Sequence, residues 1–536
     1  MTPVAPGLGG DRGTDLTPLA AGIVALVALA VYRTTLLPGL GFWDTGEAQT
    51  VLPVLGTMHP TGFPALVIIG WLFSVVAKPL GQPAFLMNLL AATCAALAAG
   101  GVVMVSRRLR VPLPVGVAAG IGFALTPVVW HISGAIDAHA LHILLVVALT
   151  LALLRWQALV DGRRDRPDDA VYRRQGDRAI VLAAAVYGVA AANHALALIL
   201  APSIVLFVLA VEPRVLLRPR LIAAAAGTAI GVAAVLYLEL PLRAGLLRAP
   251  LVYAHPDTWQ GFWDVVLARQ FQGDVHGQLS DLPAKANALL ALATAQLGPL
   301  VALVPVALVV TAVRNPRYAL FSGTAALVTV TFAGSYVNAD ITRYYLGPVF
   351  FAWTWLMVFA GAVADAVAGR AGDGLAASQR PAGRRPRRLR GGLPVATAAV
   401  LGAALLAPAA ADLGTRWHAA DQSGDTAAAQ WLDEAFGAMD ANAVVISWWS
   451  YSTPMWYGED VEGRRTDITI IDDSNAVWDH LGSPSQIIDR YLGARPVYVI
   501  RQLDSDIETL AQEYAIRPVG RPSNLYLVTG RIGTTP

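Results

Sequence analysis

Charge is what this sequence has least of. Of its 536 residues only 14% are Asp, Glu, Lys or Arg, against roughly 25% in an average soluble protein, and 55% are hydrophobic. So little charge cannot coat a soluble protein of this length, and the balance points to a membrane protein. A net charge of +2 is far from the basic footprint of a nucleic-acid binder, so no nucleic acid is implied as a partner. Cysteine is scarcer still. The single Cys94 lies inside an apolar run, which excludes an internal disulfide and leaves no redox compartment to be read.

Long apolar runs are what the sequence has instead. About 20 apolar residues cross the hydrocarbon of a bilayer. About eleven candidate spans are present: 17–36, 84–105, 113–132, 139–158, two short ones within 179–211, 221–240, 288–313, 318–336, 344–366 and 393–412. No basic region precedes the first run and no convincing cleavage site follows it, so it reads as a retained helix rather than a signal peptide. Lys and Arg orient the spans, because cytoplasmic loops accumulate them. The loops 106–112, 161–178, 212–220, 314–317 and 367–392 hold 21 Arg, including RRPRRLR at 384–390, whereas the opposite set holds seven Lys plus Arg. The first set is therefore expected on the cytoplasmic side of the plasma membrane. The run 179–211 must then cross and return within 33 residues, which predicts a pair of broken helices with Asn193 and His194 at the outer tip.

Composition shifts near residue 413. Residues 1–412 are expected to form the transmembrane domain, and residues 413–536, with 17 acidic and nine basic residues, an extracytoplasmic domain. Strand-like runs AVVISW (443–448), DITIID (467–472), PVYVIR (496–501) and LYLVTG (525–530) alternate there with helix-like stretches, the pattern of an α/β layer. The Gly-, Ala-, Pro- and Arg-rich segment 370–392 is expected to be a disordered cytoplasmic loop. The fold class is thus a mainly α polytopic membrane protein with a C-terminal soluble α/β domain.

Ionisable residues at membrane depth are costly and usually serve a pathway or a site. Asp44, Glu47, His59, Asp137, His139, His142, His194, Glu239, Arg243, Asp340 and Arg343 all fall at the outer ends of the expected spans. Asp44 could also cap a helix starting near Thr45. Letting 59–83 cross the membrane would put RRLR at 107–110 outside, so this apolar stretch is expected to lie in the outer interface as part of one long loop, 37–83. His139 and His142, three residues apart with Asp137 nearby, could sterically approach a metal.

The string WDTGEAQTVLPVLGTMHPTGFP resembles the protein O-mannosyltransferase-like branch of the GT-C glycosyltransferases, whose motif reads D-x-G-E followed by H-P-x-G-[YF]-P. WHISGAIDAHALH (130–142), AANHALAL (191–198), LYLELPLR (236–243) and DITRYYLGP (340–348) add weaker matches, so the resemblance spans roughly 17–366. Asp137 stands where that branch more often has Glu. In the soluble domain, SWWSYSTPMWYG (447–458) is similar to the W-W-D-Y-G stretch of oligosaccharyltransferases, with Ser450 in place of the Asp and Ser452 in place of the Gly. That exchange removes the carboxylate expected to read an Asn sequon.

The resemblance implies a GT-C fold and an enzyme that moves a hexose, expected to be mannose, from a polyprenyl-phosphate-sugar donor to Ser or Thr of an exported protein. It implies Asp44 as general base, with Glu47 positioning the acceptor or sharing the proton. Arginine binds phosphate bidentately and stays charged, so Arg243 and Arg343 are the expected phosphate ligands. His59 and His194 are expected at the phosphate or sugar, and Asp137, His139 and Asp340 as supporting polar groups. Trp448, Trp449 and Tyr451 follow a strand, where open α/β sheets place ligand crevices, so they are expected either to hold the acceptor or to pack against the membrane domain. No cofactor is implied beyond the lipid-linked donor, and no metal, since the resemblance is to metal-independent enzymes. Two alternatives stay open: the same donor with a lipid or cell-wall glycan acceptor, and a non-enzymatic carrier or flippase for a lipid-linked substrate.

Overall fold

The computed structural model describes residues 15–165, 169–275, 281–378, 392–501 and 503–533. The chain is mainly helical. Among the described residues, seven helices are long and apolar enough to cross a membrane: Thr17–Thr35, Pro83–Arg108, Ala138–Asp165, Pro219–Leu246, Leu282–Arg314, Ile341–Val367 and Pro394–Ala411. Leu113–Ala124 and Pro127–Gly134, bent 58° apart, make an eighth when taken as one broken span. The bend falls at Thr126, which Pro127 forces into an extended conformation. Three further runs, Ala170–Asn193, Ala195–Val211 and Pro316–Ala333, occupy the remaining expected positions.

The first eight α-helices in chain order are α1 (Thr17–Thr35), α2 (Trp43–Val54), α3 (Pro64–Val76), α4 (Pro83–Arg108), α5 (Leu113–Ala124), α6 (Pro127–Gly134), α7 (Ala138–Asp165) and α8 (Ala170–Asn193). Small residues let these helices approach closely, as in membranes generally. A Cβ on Gly100 of α4 would lie 2.7 Å from the Ala21 carbonyl oxygen of α1, and one on Gly120 of α5 would lie 3.0 Å from that of Ala99. Buried polar groups tie the bundle at defined points. Tyr32 donates to the Ala124 carbonyl at 2.8 Å, and the Trp353 indole donates to Thr126 Oγ1 at 2.9 Å.

Two expectations need correction. The run 179–211 is not a pair of broken helices: its first part belongs to α8, which begins at Ala170 and runs 24 residues to Asn193, and only the return, Ala195–Leu200 and Ala201–Val211, is broken and short. The polar start of α8 is helical because Asp169 caps it, accepting the Val171 N–H at 2.8 Å. The segment expected to be disordered is helical where it is described, since one helix runs Leu346–Ser378 and the next begins at Gly392. RRPRRLR (384–390) lies outside the described residues.

Beyond the last span, helices Leu413–Ala420 and Ala427–Ala438 lead into a five-stranded sheet of order β2-β1-β3-β5-β4. Its strands are β1 (Val444–Ser447), β2 (Thr469–Asp472), β3 (Val497–Ile500), β4 (Tyr514–Pro518) and β5 (Leu525–Arg531). β1 runs parallel to β2 and β3, and β5 runs antiparallel to β3 and β4, with Val444 beside Thr469 and Val497, and Val497 beside Val528. β1 and β3 are buried along their whole length, which explains their unbroken apolar sequence. β4 escaped the sequence pattern because it is an edge strand, mostly exposed and ended by Pro518.

Candidate functional site

The stretch 37–83 forms a platform at one end of the bundle. Gly41 lends its N–H to Gln49 Oε1 at 2.8 Å, and Gln49 in turn donates to Asn88 Oδ1 at 3.0 Å. Asn88 of α4 holds the carbonyls of Leu37 and Gly39 and accepts the Ile136 N–H, each at 3.0 Å. These two amides fix α2 against the loop before α7. Sequence reasoning passed over both, although Asn88, an amide in an apolar run, is itself a signal.

The Trp449–Trp456 helix of the soluble region packs directly on α2. A Cβ at Gly46 would lie 2.7 Å from Thr453 Oγ1 and 2.6 Å from the Gly41 carbonyl, which is why the D-T-G-E string needs its glycine. Asp44 stands in the first turn of α2 but does not cap it. The N-cap position is Phe42, without a side-chain hydrogen bond. Asp44 Oδ1 instead accepts the Trp449 indole N–H at 3.1 Å, and Oδ2 lies 3.6 Å from Arg343 Nη2.

Between this platform and the bundle lies a cavity of about 550 Å³, lined among others by Asp44, His59, Asp137, His139, His194, Arg343, Tyr344 and Trp449. Arg343 is shared by three carboxylates: it pairs closely with Asp137, and lies 3.6 Å from Asp44 and 3.5 Å from Asp340. Asp137 also accepts the His139 backbone N–H at 2.7 Å and sits 2.6 Å from its Nδ1. Burial would raise the Asp137 carboxyl, but His139 and Arg343 outweigh it and hold the group well below the usual carboxylate range. His139 and His194 stand ring to ring at 4.5 Å, with Tyr344 against both.

The structure thus gathers Asp44, His59, Asp137, His139, His194, Arg343 and Trp449 around one space. It places the others elsewhere. Glu47 does not reach the cavity as an acceptor contact; it is buried, and both its oxygens face His59, one accepting the backbone N–H at 2.7 Å and the other paired with Nδ1. Burial alone would lower the His59 imidazole, but Glu47 and then Asp44 overcome that and push it up to about 9. Arg243 turns away from the cavity. Its Nε and Nη2 donate to the carbonyls of Leu55 and Val54 at 2.5 and 2.8 Å, because α2 ends there in a left-handed residue that leaves those acceptors open. Asp340 is an outer partner of Arg343, 3.9 Å from His131. Trp448 meets Trp43 edge-on at 4.9 Å, and Tyr451 packs on Phe42 and Trp431, so both join the soluble region to the platform. Sequence reasoning missed the far wall, Tyr253, Gln270, Phe271, Tyr336 and Asn338, which comes from loops without periodicity.

The architecture is similar to that of solved transferases, and one stretch of the sequence matches a family model. Residues 44–216 match the family model of the protein O-mannosyl-transferase TMEM260 N-terminal domain. ArnT from Cupriavidus metallidurans, solved bound to undecaprenyl phosphate, superposes with a TM-score of 0.61 at 17% identity over 95% of this chain and 97% of its own. The Archaeoglobus fulgidus oligosaccharyltransferase, solved with a tethered acceptor peptide, superposes with a TM-score of 0.54 at 14% identity over 97% of this chain and 74% of its own. The Archaeoglobus fulgidus oligosaccharyltransferase AglB, in complex with an inhibitory peptide and a dolichol-phosphate, gives a TM-score of 0.51 at 14% identity, over 97% of this chain and 75% of its own.

Proposed function

We propose that this chain is an inverting transferase that moves a hexose, mannose, from a polyprenyl-phosphate-sugar to the hydroxyl of Ser or Thr in an exported protein, on the outer face of the plasma membrane. The observation that carries the reading is the meeting of Asp44 and Arg343 across one cavity, a base and a phosphate-binding cation 3.6 Å apart. Asp44 takes the acceptor hydroxyl proton as the oxygen bonds to the anomeric carbon. The bond from that carbon to the phosphate oxygen breaks, and its electron pair leaves on the lipid phosphate. Arg343 faces the growing negative charge, and the cationic His59 faces the same cavity. Single displacement inverts the anomeric centre.

Lipid phosphate and peptide in the solved relatives support the choice of donor and acceptor class. The soluble region supports a hydroxyl acceptor over an Asn sequon, because Ser450 is buried and Ser452 donates to Asp472 at 2.6 Å, leaving no carboxylate from either position at the cavity. Glycoproteomics of a deletion strain against its parent tests the reading: hexosylated Ser/Thr peptides are expected to vanish. Their persistence beside an altered lipid or wall glycan would transfer the assignment to the other acceptor. A reporter fused after Pro536 is expected outside the cytoplasm, and reporters on the same side after Pro536 and near Arg380 would overturn the topology.

A further inference from the structure

We infer that Trp449 is a positioning residue for the base: its indole N–H pins one oxygen of Asp44 so that the other, Oδ2, is the one turned to the acceptor. The inference rests on the proposed role of Asp44. The two oxygens of that carboxylate have different surroundings, Oδ1 accepting the Trp449 N–H at 3.1 Å and Oδ2 lying 3.6 Å from Arg343 across the cavity. A carboxylate on a short side chain can otherwise rotate and exchange its oxygens. A hydrogen bond to one of them selects a single orientation, and orientation is worth much in a reaction that needs the hydroxyl aligned with the anomeric carbon.

Trp449 is itself held, so that the selection is rigid. Its ring stands edge-on to Tyr253 at 5.7 Å, to His59 at 5.8 Å and to Trp456 at 5.8 Å. The indole N–H therefore has one direction open, toward Asp44. Its backbone is set by the sheet: β1 ends at Ser447, Trp448 remains extended, and Trp449 begins the helix that seats Thr453 against Gly46 of α2. Strand, helix and glycine contact together place the donor from one region over the base of the other. The soluble region thus completes the site. An acceptor-contact role for Trp449 would leave the N–H free for substrate, whereas here it is already engaged.

The test replaces Trp449 in the full chain, in nanodiscs, with a short-chain polyprenyl-phosphate mannose as donor and a Ser/Thr peptide as acceptor. Trp449→Phe removes the N–H and keeps an aromatic ring. Substitution by 3-benzothienylalanine keeps the bicyclic shape and exchanges the N–H for sulfur, which covers the case in which Phe disturbs folding. Either change is expected to lower kcat about tenfold, the effect of one lost hydrogen bond to a charged group, with KM for donor and acceptor within about twofold of parental. A raised acceptor KM with parental kcat would overturn the inference and make Trp449 an acceptor contact, and fully parental kinetics would overturn it as well. Asp44→Asn separates the two levels. An active Asn variant removes the proposed base and this inference with it, whereas an inactive Asn variant beside a parental benzothienylalanine variant removes the inference alone.

Discussion

The two ends of the helix bundle are built from the same residue types and do opposite things with them. At the end away from α2, several carboxylates are each met by an arginine: Glu212 by Arg163, Asp177 by Arg218, Asp365 by Arg314, and Asp161 by Arg164 and Arg317. The cavity among the first of these pairs measures about 10 Å³, about the space of a single water probe. At the end carrying α2, one guanidinium serves three carboxylates around about 550 Å³ of space. Matched charges over a closed void brace helices. Carboxylates that share one guanidinium over an open space suit the proposed site, since perturbed charges cluster where a site is built.

The sharpest way to break that contrast is Asp44→Asn. An amide of the same shape cannot take the hydroxyl proton, so transfer is expected to fall by about 10² to 10⁴ while the melting temperature stays put. Asp44 caps no helix in the structure, so a parental rate in a folded Asn variant would leave the open end without chemistry. Next in size is the difference between two arginines. Arg343→Ala is expected to weaken donor binding by about 1.5 to 3 kcal/mol, with Lys restoring part of it as a point charge without the fork. Arg243→Ala is expected to leave donor affinity unchanged and lower the melting temperature, because it releases the end of α2. Donor titrations and thermal melts of both variants decide, and equal donor losses would erase the distinction.

At the matched end the expected result is reversed. Arg163→Ala uncovers Glu212, whose side chain is only 9% exposed, so stability is expected to drop by about 2 kcal/mol, less than for a fully buried pair because Arg163 is itself 23% exposed. Turnover per folded molecule is expected to stay parental. A loss of turnover at unchanged stability would mean that this end also takes part in function.

Much of this contrast was legible in the sequence. Polar residues inside apolar runs stand out, which singles out Asp44, His59, Asp137, His194 and Arg343, and the structure brings all five to one cavity. What separates Arg343 from Arg243 was not legible, because both sit at the end of a span. The difference lies in the backbone path of α2, whose open carbonyls engage Arg243. Glu47 stands out for the same reason as Asp44 and lies one turn on along the same face of α2, but His59, which lines the cavity, engages both its oxygens and buries it. The aromatic run 448–457 announced a crevice after a strand, yet only packing distinguishes Trp449 at the base from Trp448 and Tyr451 in the joint. α8 extends beyond its apolar run because Arg173, Arg174, Asp177 and Arg178 hide its first turns from an apolar count.

The smallest effect concerns an ion pair at the open end that resembles the braces of the other. Glu47 is buried and both its oxygens meet His59, so this pair is matched even though the histidine lines the cavity. His59 titrates at about 9 in the folded chain, above its ordinary 6.5, so its contribution to stability is fully present below about pH 6.5 and is lost as pH rises through about 9. The melting temperature of the parent, relative to His59→Gln, is therefore expected to decline between those two values, on the order of 2 °C. Donor affinity is expected to fall over the same window, because the imidazolium that Glu47 sustains also faces the proposed phosphate. The two readouts separate brace from ligand. A decline in melting temperature with flat donor affinity would assign the pair wholly to the platform, and a decline in affinity alone would assign it to the cavity. Parallel declines would show one histidine serving both ends of the comparison at once.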